Sequence, residues 1–135
     1  MNRKSQLPTG IVIDTGYQGM EMFLGSLESA IMELFWECYP NRRTYKSIQR
    51  QLRHDQKERA LSTVSTTIVK LAQKNLLIRL VGDGNGYGSI AYEYAAVCSR
   101  EEFVELAIRR ALESFKTYFP EELSSILEQD ILVDH

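Results

Sequence analysis

The chain has 135 residues, of which 44% are hydrophobic and 25% are charged, and its formal net charge is −2. This is ordinary globular usage, so a disordered or fibrous chain is excluded, and the length suits one domain with an appendage. No apolar run reaches the roughly 18 residues of a membrane span, so we expect no direct membrane association.

Residues 1–23 show no regular period, and we interpret them as an N-terminal arm. Residues 11–14, Ile-Val-Ile-Asp, have the composition of a short strand, and Gly10, Gly16 and Gly19 interrupt any longer element. Two interpretations stay open for this arm: partial disorder, or docking on a partner subunit.

Two helices are predicted next. The first begins with Ser26 as its N-cap and ends by Tyr39, because Pro40 follows. The second runs from Tyr45 to about Arg53. Thr44 is its N-cap, and Ile48 and Leu52 face inward.

The stretch of residues 61–77 organises the rest of the chain, and it begins with the third predicted helix. Val64, Ile68 and Leu71 recur at i, i+4 and i+7, which places one apolar stripe on a helix. Ser62 or Thr63 is expected to cap its start and Asn75 its end. The outward face has no acidic side chain and offers short hydroxyls and a cation. Such a face fits DNA, although an ordinary surface helix also carries Ser and Thr on its solvent-exposed face.

A β-hairpin is predicted immediately afterwards. Residues 76–81 are an apolar run of strand length, residues 82–88 are a glycine-rich turn, and residues 91–95 alternate as a returning strand. The turn lacks the Gly-Lys-Ser/Thr ending of a phosphate-binding loop. Three helices followed by a hairpin predict a mainly α fold, a winged helix-turn-helix domain in residues 24–97.

Residues 98–135 are predicted to form a helical dimerisation domain. Ser99 and Glu102 make a capping box, the helix runs to about Tyr118, and Pro120 opens a final helix to about Gln129. The apolar face is too wide for a helix that packs only on its own domain, which favours a homodimer. The alternative is that the two helices fold back on their own domain. The predicted dimerisation residues are Phe103, Leu106, Ala107, Ile108, Leu112, Phe115, Leu123, Ile126 and Leu127.

The charge is unevenly distributed along the chain. Residues 42–80 hold ten Lys or Arg against two carboxylates, a net +8 that is typical of a polyanion-binding surface. Pairing of basic and acidic segments within the fold is the alternative. We expect phosphate contacts from Arg42, Arg43, Thr44, Lys46, Arg50 and Arg79, and base contacts from Ser62, Thr63, Ser65, Thr66 and Lys70.

Catalysis is not indicated by any motif. His54 and His135 stand apart, and no Ser/His/Asp or HExxH arrangement occurs, so we expect no enzyme, metal or cofactor. Cys38 and Cys98 lack CxxC spacing, which indicates a reduced, cytoplasmic setting. The function favoured is a sequence-specific transcriptional repressor. The alternative is a winged-helix protein-interaction module that does not bind DNA.

Several motifs in this order and spacing resemble one family. They are the Leu-Gly-x-Leu-Glu-x-x-Ile-Met-x-x-x-Trp-Glu run from Leu24, the Leu-Ser-Thr-Val-Ser-Thr-Thr-Ile run from Leu61, Tyr92-x-Tyr94, and Ser-Arg-Glu-Glu-Phe-Val from Ser99. With the later Phe-Pro-Glu-Glu-Leu from Phe119, they cover about residues 24–128. The chain resembles the penicillinase and methicillin-resistance repressors (BlaI/MecI type).

The resemblance implies a winged-helix domain, a helical dimerisation domain and repression at a palindromic operator, as in a β-lactam-resistance regulon. It also implies an upstream partner, a membrane sensor protease whose signal leads to cleavage between Asn and Phe early in the first dimerisation helix. Here Phe103 matches but Glu102 replaces the Asn. The family's copper-responsive branch carries C-terminal cysteines, and this chain has none after Cys98.

Overall fold

Five α-helices and one antiparallel hairpin make up the computed structural model, which describes residue 8, residues 11–82 and residues 92–133, the last four by their backbone alone. The mainly helical fold class predicted from the sequence is confirmed. The chain divides into two compact units, residues 1–103 and 104–135. In chain order the elements are α1 (Ser26–Glu37), α2 (Tyr45–His54), α3 (Leu61–Gln73), β1 (Leu77–Val81), β2 (Tyr92–Ala96), α4 (Arg100–Tyr118) and α5 (Pro120–Val133).

The described part of the arm is folded, but not as predicted. Residues 11–14 form no strand; they lead into a turn and then a short 3-10 helix, Gly19–Met22. The Asp14 amide donates to the Met22 carbonyl at 2.7 Å, which closes this segment on itself, and Met20 and Leu24 are buried. The strand prediction was wrong because a local turn satisfies the backbone without a partner strand. The two cations at the start of the arm, Arg3 and Lys4, lie outside the described residues.

The starts of α1 and α2 are capped in different ways. Gly25, not Ser26, is the N-cap of α1, and its amide donates to the Glu28 carboxylate at 3.1 Å. That carboxylate reaches back from the third helical position, so Ser26 already lies inside the helix and the predicted cap was wrong. Thr44 caps α2 as predicted, with its hydroxyl accepting from the Ser47 amide at 3.1 Å.

Helix α3 begins without a side-chain cap. Ala60 is its N-cap, so Ser62 and Thr63 fall within the first turn and do not cap it, contrary to the prediction. At the other end Lys74 is the C-cap, and Asn75 follows in the left-handed region at φ 63°. The amides of Asn75 and Leu76 donate to the carbonyls of Ala72 and Leu71, both at 3.0 Å. This is the Schellman pattern, and it leads the chain directly into β1.

The core of the first unit lies between α1, α2 and α3. Its largest buried side chains include Phe35, Ile31, Ile48, Ile68 and Leu71. Strands β1 and β2 pair in a register that sets Leu77 opposite Ala96 and Val81 opposite Tyr92. The hairpin prediction is confirmed in both strands: β1 begins one residue later than predicted and ends where predicted, and β2 is shifted by one residue toward the C-terminus. Residues 83–91, which include all of the predicted glycine-rich turn except Gly82, lie outside the described residues.

A third backbone segment joins the hairpin just before α2. Arg43 and Tyr94 exchange two amide-to-carbonyl hydrogen bonds, each 2.8 Å long. The bridge attaches the start of α2 to β2, and so it ties the helix-turn-helix to the hairpin.

Helix α4 starts with the predicted capping box. The Glu102 amide donates to the Ser99 hydroxyl, and the Ser99 amide donates to the Glu102 carboxylate, both at 3.1 Å. Phe103, in this first turn, is 1% exposed and belongs to the first unit, where its ring meets those of Trp36 and Phe23. The division between units therefore falls inside α4, whereas the boundary predicted from the sequence lies between residues 97 and 98.

Candidate nucleic-acid interface

Helix α3 presents a polar face over a buried apolar stripe. Val64, Ile68 and Leu71 are at most 1% exposed, as their spacing predicts. The residues proposed to read bases lie on the other side. Ser62, Thr63, Thr66 and Lys70 are exposed and Ser65 is half-buried. The helix contains no carboxylate, so nothing on this face repels a phosphate.

The threonine hydroxyls of α3 are already oriented by the helix itself. Thr66 Oγ1 donates to the Ser62 carbonyl at 2.8 Å, and Thr67 Oγ1 donates to the Thr63 carbonyl at 2.8 Å. A hydroxyl that keeps such a bond can still accept a hydrogen bond through its lone pairs. In this state Thr66 therefore presents an acceptor, which suits the exocyclic amines of adenine and cytosine.

The two arginines before α2 are held by neighbours in the fold. Arg43 donates from Nε to the Ser47 hydroxyl at 2.9 Å and from a terminal nitrogen to the Ser47 carbonyl at 3.2 Å. Arg42 lies 3.6 Å from the Glu93 carboxylate on β2. Arg43 is half-buried, so its guanidinium primarily makes contacts within the fold and only secondarily is available to a ligand. The contact of Arg42 could not be seen in the sequence, because Glu93 is about fifty residues away.

The remaining predicted phosphate contacts differ in how they are positioned. Lys46 and Arg50 are exposed on α2, while the Thr44 hydroxyl is engaged as the cap of that helix. Arg79 is exposed on β1, and its guanidinium carbon lies 4.5 Å from the centroid of the Tyr92 ring. These cations are available to an anionic ligand without unfolding any element.

Further cations border α3 where α2 connects to it. Arg53, Lys57 and Arg59 are all exposed, and Arg53 pairs with Glu58 at 3.1 Å. The Gln49 side-chain amide donates to the Arg59 carbonyl at 3.4 Å, which holds this connection against α2. These charges belong to the +8 block, but none of the three was predicted as a site residue. For Lys57 and Arg59 the reason is that a connecting segment carries no period that shows its direction.

An ion pair joins the end of α3 to the start of α1. Lys74 Nζ lies 2.8 Å from Glu28 Oε2. Partial burial alone would raise the pKa of the Glu28 carboxyl, but hydrogen bonds from Lys74 and the Gly25 amide, with the charges of Lys74 and Lys70, lower it below 4.5. Lys70, proposed to read bases, is thus close enough to Glu28 to stabilise its negative charge.

The second unit leaves much apolar surface uncovered. On α4, Ile108 is 49%, Leu112 40% and Phe115 50% exposed, and they recur at i, i+4 and i+7. Leu106 and Leu123 are half-buried, and Phe103 and Ala107 are buried within the single chain. Along the described residues, α5 does not pack lengthwise on α4. The exposed set is Ile108, Leu112, Phe115, Tyr118, Phe119, Ile126 and Leu127.

A helix-turn-helix followed by a hairpin, with a basic surface around its third helix, defines a winged helix-turn-helix DNA-binding protein. The chain belongs to the penicillinase repressor family, whose model matches residues 24–134. The resemblance noted in the sequence is thereby confirmed, and this family consists of DNA-binding transcriptional repressors rather than enzymes. A comparison with curated proteins finds no match.

Two further observations concern the part of the chain that the structure describes. None of its helices has both the length and the apolar character that a membrane crossing requires. Within the same residues, no three His, Cys, Asp or Glu side chains come together as metal ligands.

Proposed function

We propose that the chain is a cytoplasmic, sequence-specific repressor that binds a palindromic operator as a homodimer. The observation that carries this proposal is the exposed, carboxylate-free face of α3, supported from beneath by Val64, Ile68 and Leu71. A helix that is fixed to the core and mostly polar on its exposed side can enter the major groove without losing its packing. Thr66 and Lys70 would then meet base edges.

The surroundings of α3 support phosphate contacts on both sides. Lys46 and Arg50 on α2, together with Arg79 on β1, are exposed cations that flank the helix along the chain. Each such contact releases counterions from DNA, so it should add affinity that falls as salt rises. These contacts position the protein, and α3 supplies the sequence preference.

The exposed apolar stripe of the second unit supports a homodimer. Ile108, Leu112 and Phe115 are 40–50% exposed on one side of α4. Leaving this area in water is unfavourable, and burying it is worth about 25 cal/mol per Å² before the cost of association. A two-fold dimer would present two α3 helices to half-sites separated by about 10 bp or a multiple of it.

Selection of binding sites from random DNA, followed by titration, tests the operator proposal. An inverted repeat should emerge, and Thr66→Ala should weaken binding to it by roughly 1–3 kcal/mol while binding to random DNA persists. Thr67→Ala is the matched control, because Thr67 makes the same bond to the helix but is half-buried. If selection yields no inverted repeat, or both variants behave alike, α3 does not read the operator.

Sedimentation of full-length variants tests the dimer proposal. Phe115→Glu should give monomers at concentrations where the native chain dimerises, because it puts a charge into the stripe. Thr117→Glu, an exposed position on the other side of the same helix, should leave the dimer intact. Equal behaviour of the two variants would remove the stripe from the interface.

The second candidate function is a winged-helix module that binds protein instead of DNA. The internal engagement of Arg42 by Glu93 and of Arg43 by Ser47 favours it, because both cations are already partnered. A gel shift with random DNA separates the two functions. Absence of any salt-dependent shift would favour the protein-interaction module.

The signal that releases this repressor is a further part of the proposal. The family is that of the penicillinase repressors, which points to a β-lactam-resistance regulon and to a membrane sensor protease upstream. In this chain the bond at issue lies between Glu102 and Phe103, in the capped first turn of α4. Glu102 in place of Asn argues for a release that does not cut there.

A further inference from the structure

The guanidinium of Arg79 is placed by an aromatic ring. Arg79 lies on β1 and Tyr92 at the start of β2, and the guanidinium carbon is 4.5 Å from the ring centroid. In the antiparallel register Arg79 is opposite Tyr94 and Val81 is opposite Tyr92, so Arg79 and Tyr92 are diagonal neighbours on one face of the hairpin. Both side chains are exposed, and Tyr92 is 40% exposed.

This contact differs in chemistry from the contacts of the other two arginines. Arg43 uses N–H donors in hydrogen bonds to Ser47, and Arg42 faces the Glu93 carboxylate. A cation over an aromatic face is held by the ring's quadrupole, which uses none of the guanidinium's N–H donors. The ring therefore restricts the side chain while leaving its fork of donors for a bidentate ligand such as a phosphate.

We infer that Tyr92 is a positioning residue for DNA binding: its ring holds Arg79 ready to bind a backbone phosphate beside the groove that α3 enters. The inference rests on the proposed function, because it assigns a role within DNA binding. Restricting Arg79 before the complex forms reduces the side-chain entropy lost on binding. Tyr92 then contributes to affinity without contacting DNA.

A double-mutant cycle on the full chain tests this, with affinity for random DNA measured by fluorescence anisotropy. Tyr92→Leu should weaken binding about two- to fivefold, the range expected for an exposed cation–π contact. In the Arg79→Ala background the same substitution should have no further effect. Tyr92→Phe keeps the ring and should bind like the native protein.

The outcomes separate the inference from the proposed function. If the native chain shows no salt-dependent binding to DNA, the proposed function fails. If the native chain binds, but Tyr92→Leu weakens binding equally with and without Arg79, the residue acts through the fold and the inference is overturned. A Tyr92→Phe variant as weak as Tyr92→Leu would assign the effect to the hydroxyl, and it would also overturn the inference.

Discussion

The ring of Phe103 lies 5.3 Å from the ring of Trp36, centroid to centroid, and so the first turn of α4 completes the core that α1 begins. We expect Phe103→Ala to lower the free energy of unfolding by about 3–5 kcal/mol, because it leaves a cavity beside Trp36. Tyr17→Ala is the control, since Tyr17 is 58% exposed. Urea denaturation of both variants checks this, and a small loss at Phe103 would contradict the packing described.

The bond between Glu102 and Phe103 should resist a sensor protease of the family. The Phe103 amide donates to the Ser99 carbonyl at 3.0 Å, and its side chain is 1% exposed, so the bond is unavailable until the turn opens. We expect Glu102→Asn to be cut faster, because it restores the family's residue pair and shortens the side chain that caps Ser99. Glu102→Gln keeps the length and should be cut as slowly as the native chain. Mass spectrometry that finds rapid cutting of the native chain there would overturn this.

The ion pair of Glu28 with Lys74 should make stability fall in acid. The pKa of Glu28 is lowered below 4.5 in the folded protein, so the pair stabilises fully above that value and the stabilisation is lost as pH falls through the folded pKa. Glu28→Gln should therefore have a lower Tm near neutral pH and a smaller further drop in acid. Glu37→Gln, an exposed carboxylate of the same helix, should follow the native curve. Identical pH profiles for Glu28→Gln and the native chain would exclude this role.

Arg43 and Arg50 should separate stability from binding. Arg43→Ala removes two hydrogen bonds to Ser47 and should lower stability by about 1 kcal/mol. Arg50→Ala removes an exposed cation and should leave stability within about 0.5 kcal/mol while reducing the salt slope of DNA binding by about 1. Thermal melts measure the stability of both variants, and salt titrations measure the salt slope of their DNA binding. An Arg43→Ala protein with native stability and a reduced salt slope would show that Arg43 contacts DNA.

Sequence patterns of short range were sufficient for much of this fold. The caps at Thr44 and Ser99 depend on groups three residues away, and both are confirmed. The start of α1 was misplaced because Glu28 satisfies the Gly25 amide, a bond that competes with capping by Ser26. Local composition does not show which of two compatible caps will form.

The geometry of the site was harder to predict from the sequence, because it depends on residues that are distant along the chain. In the sequence Arg43 is one more cation, and its place in the fold follows from the pairing of its backbone with Tyr94, about fifty residues away. Likewise, the width of the apolar face on α4 was visible, but not its division into a buried part at Phe103 and an exposed part at Phe115. Which part turns inward is decided by Trp36, which is 67 residues before Phe103 in the chain.

The sharing of α4 between the two units has a practical consequence for chimeras within the family. A graft that exchanges the helical C-terminal unit at the end of the hairpin would also replace the first turn of α4, so the other parent's first turn would have to pack against the recipient's Trp36. Joining the parents after Phe103 keeps that ring with its native neighbours. The join must also preserve the helical phase. One inserted residue rotates the rest of α4 by about 100°, so the stripe of Ile108, Leu112 and Phe115 would face another direction.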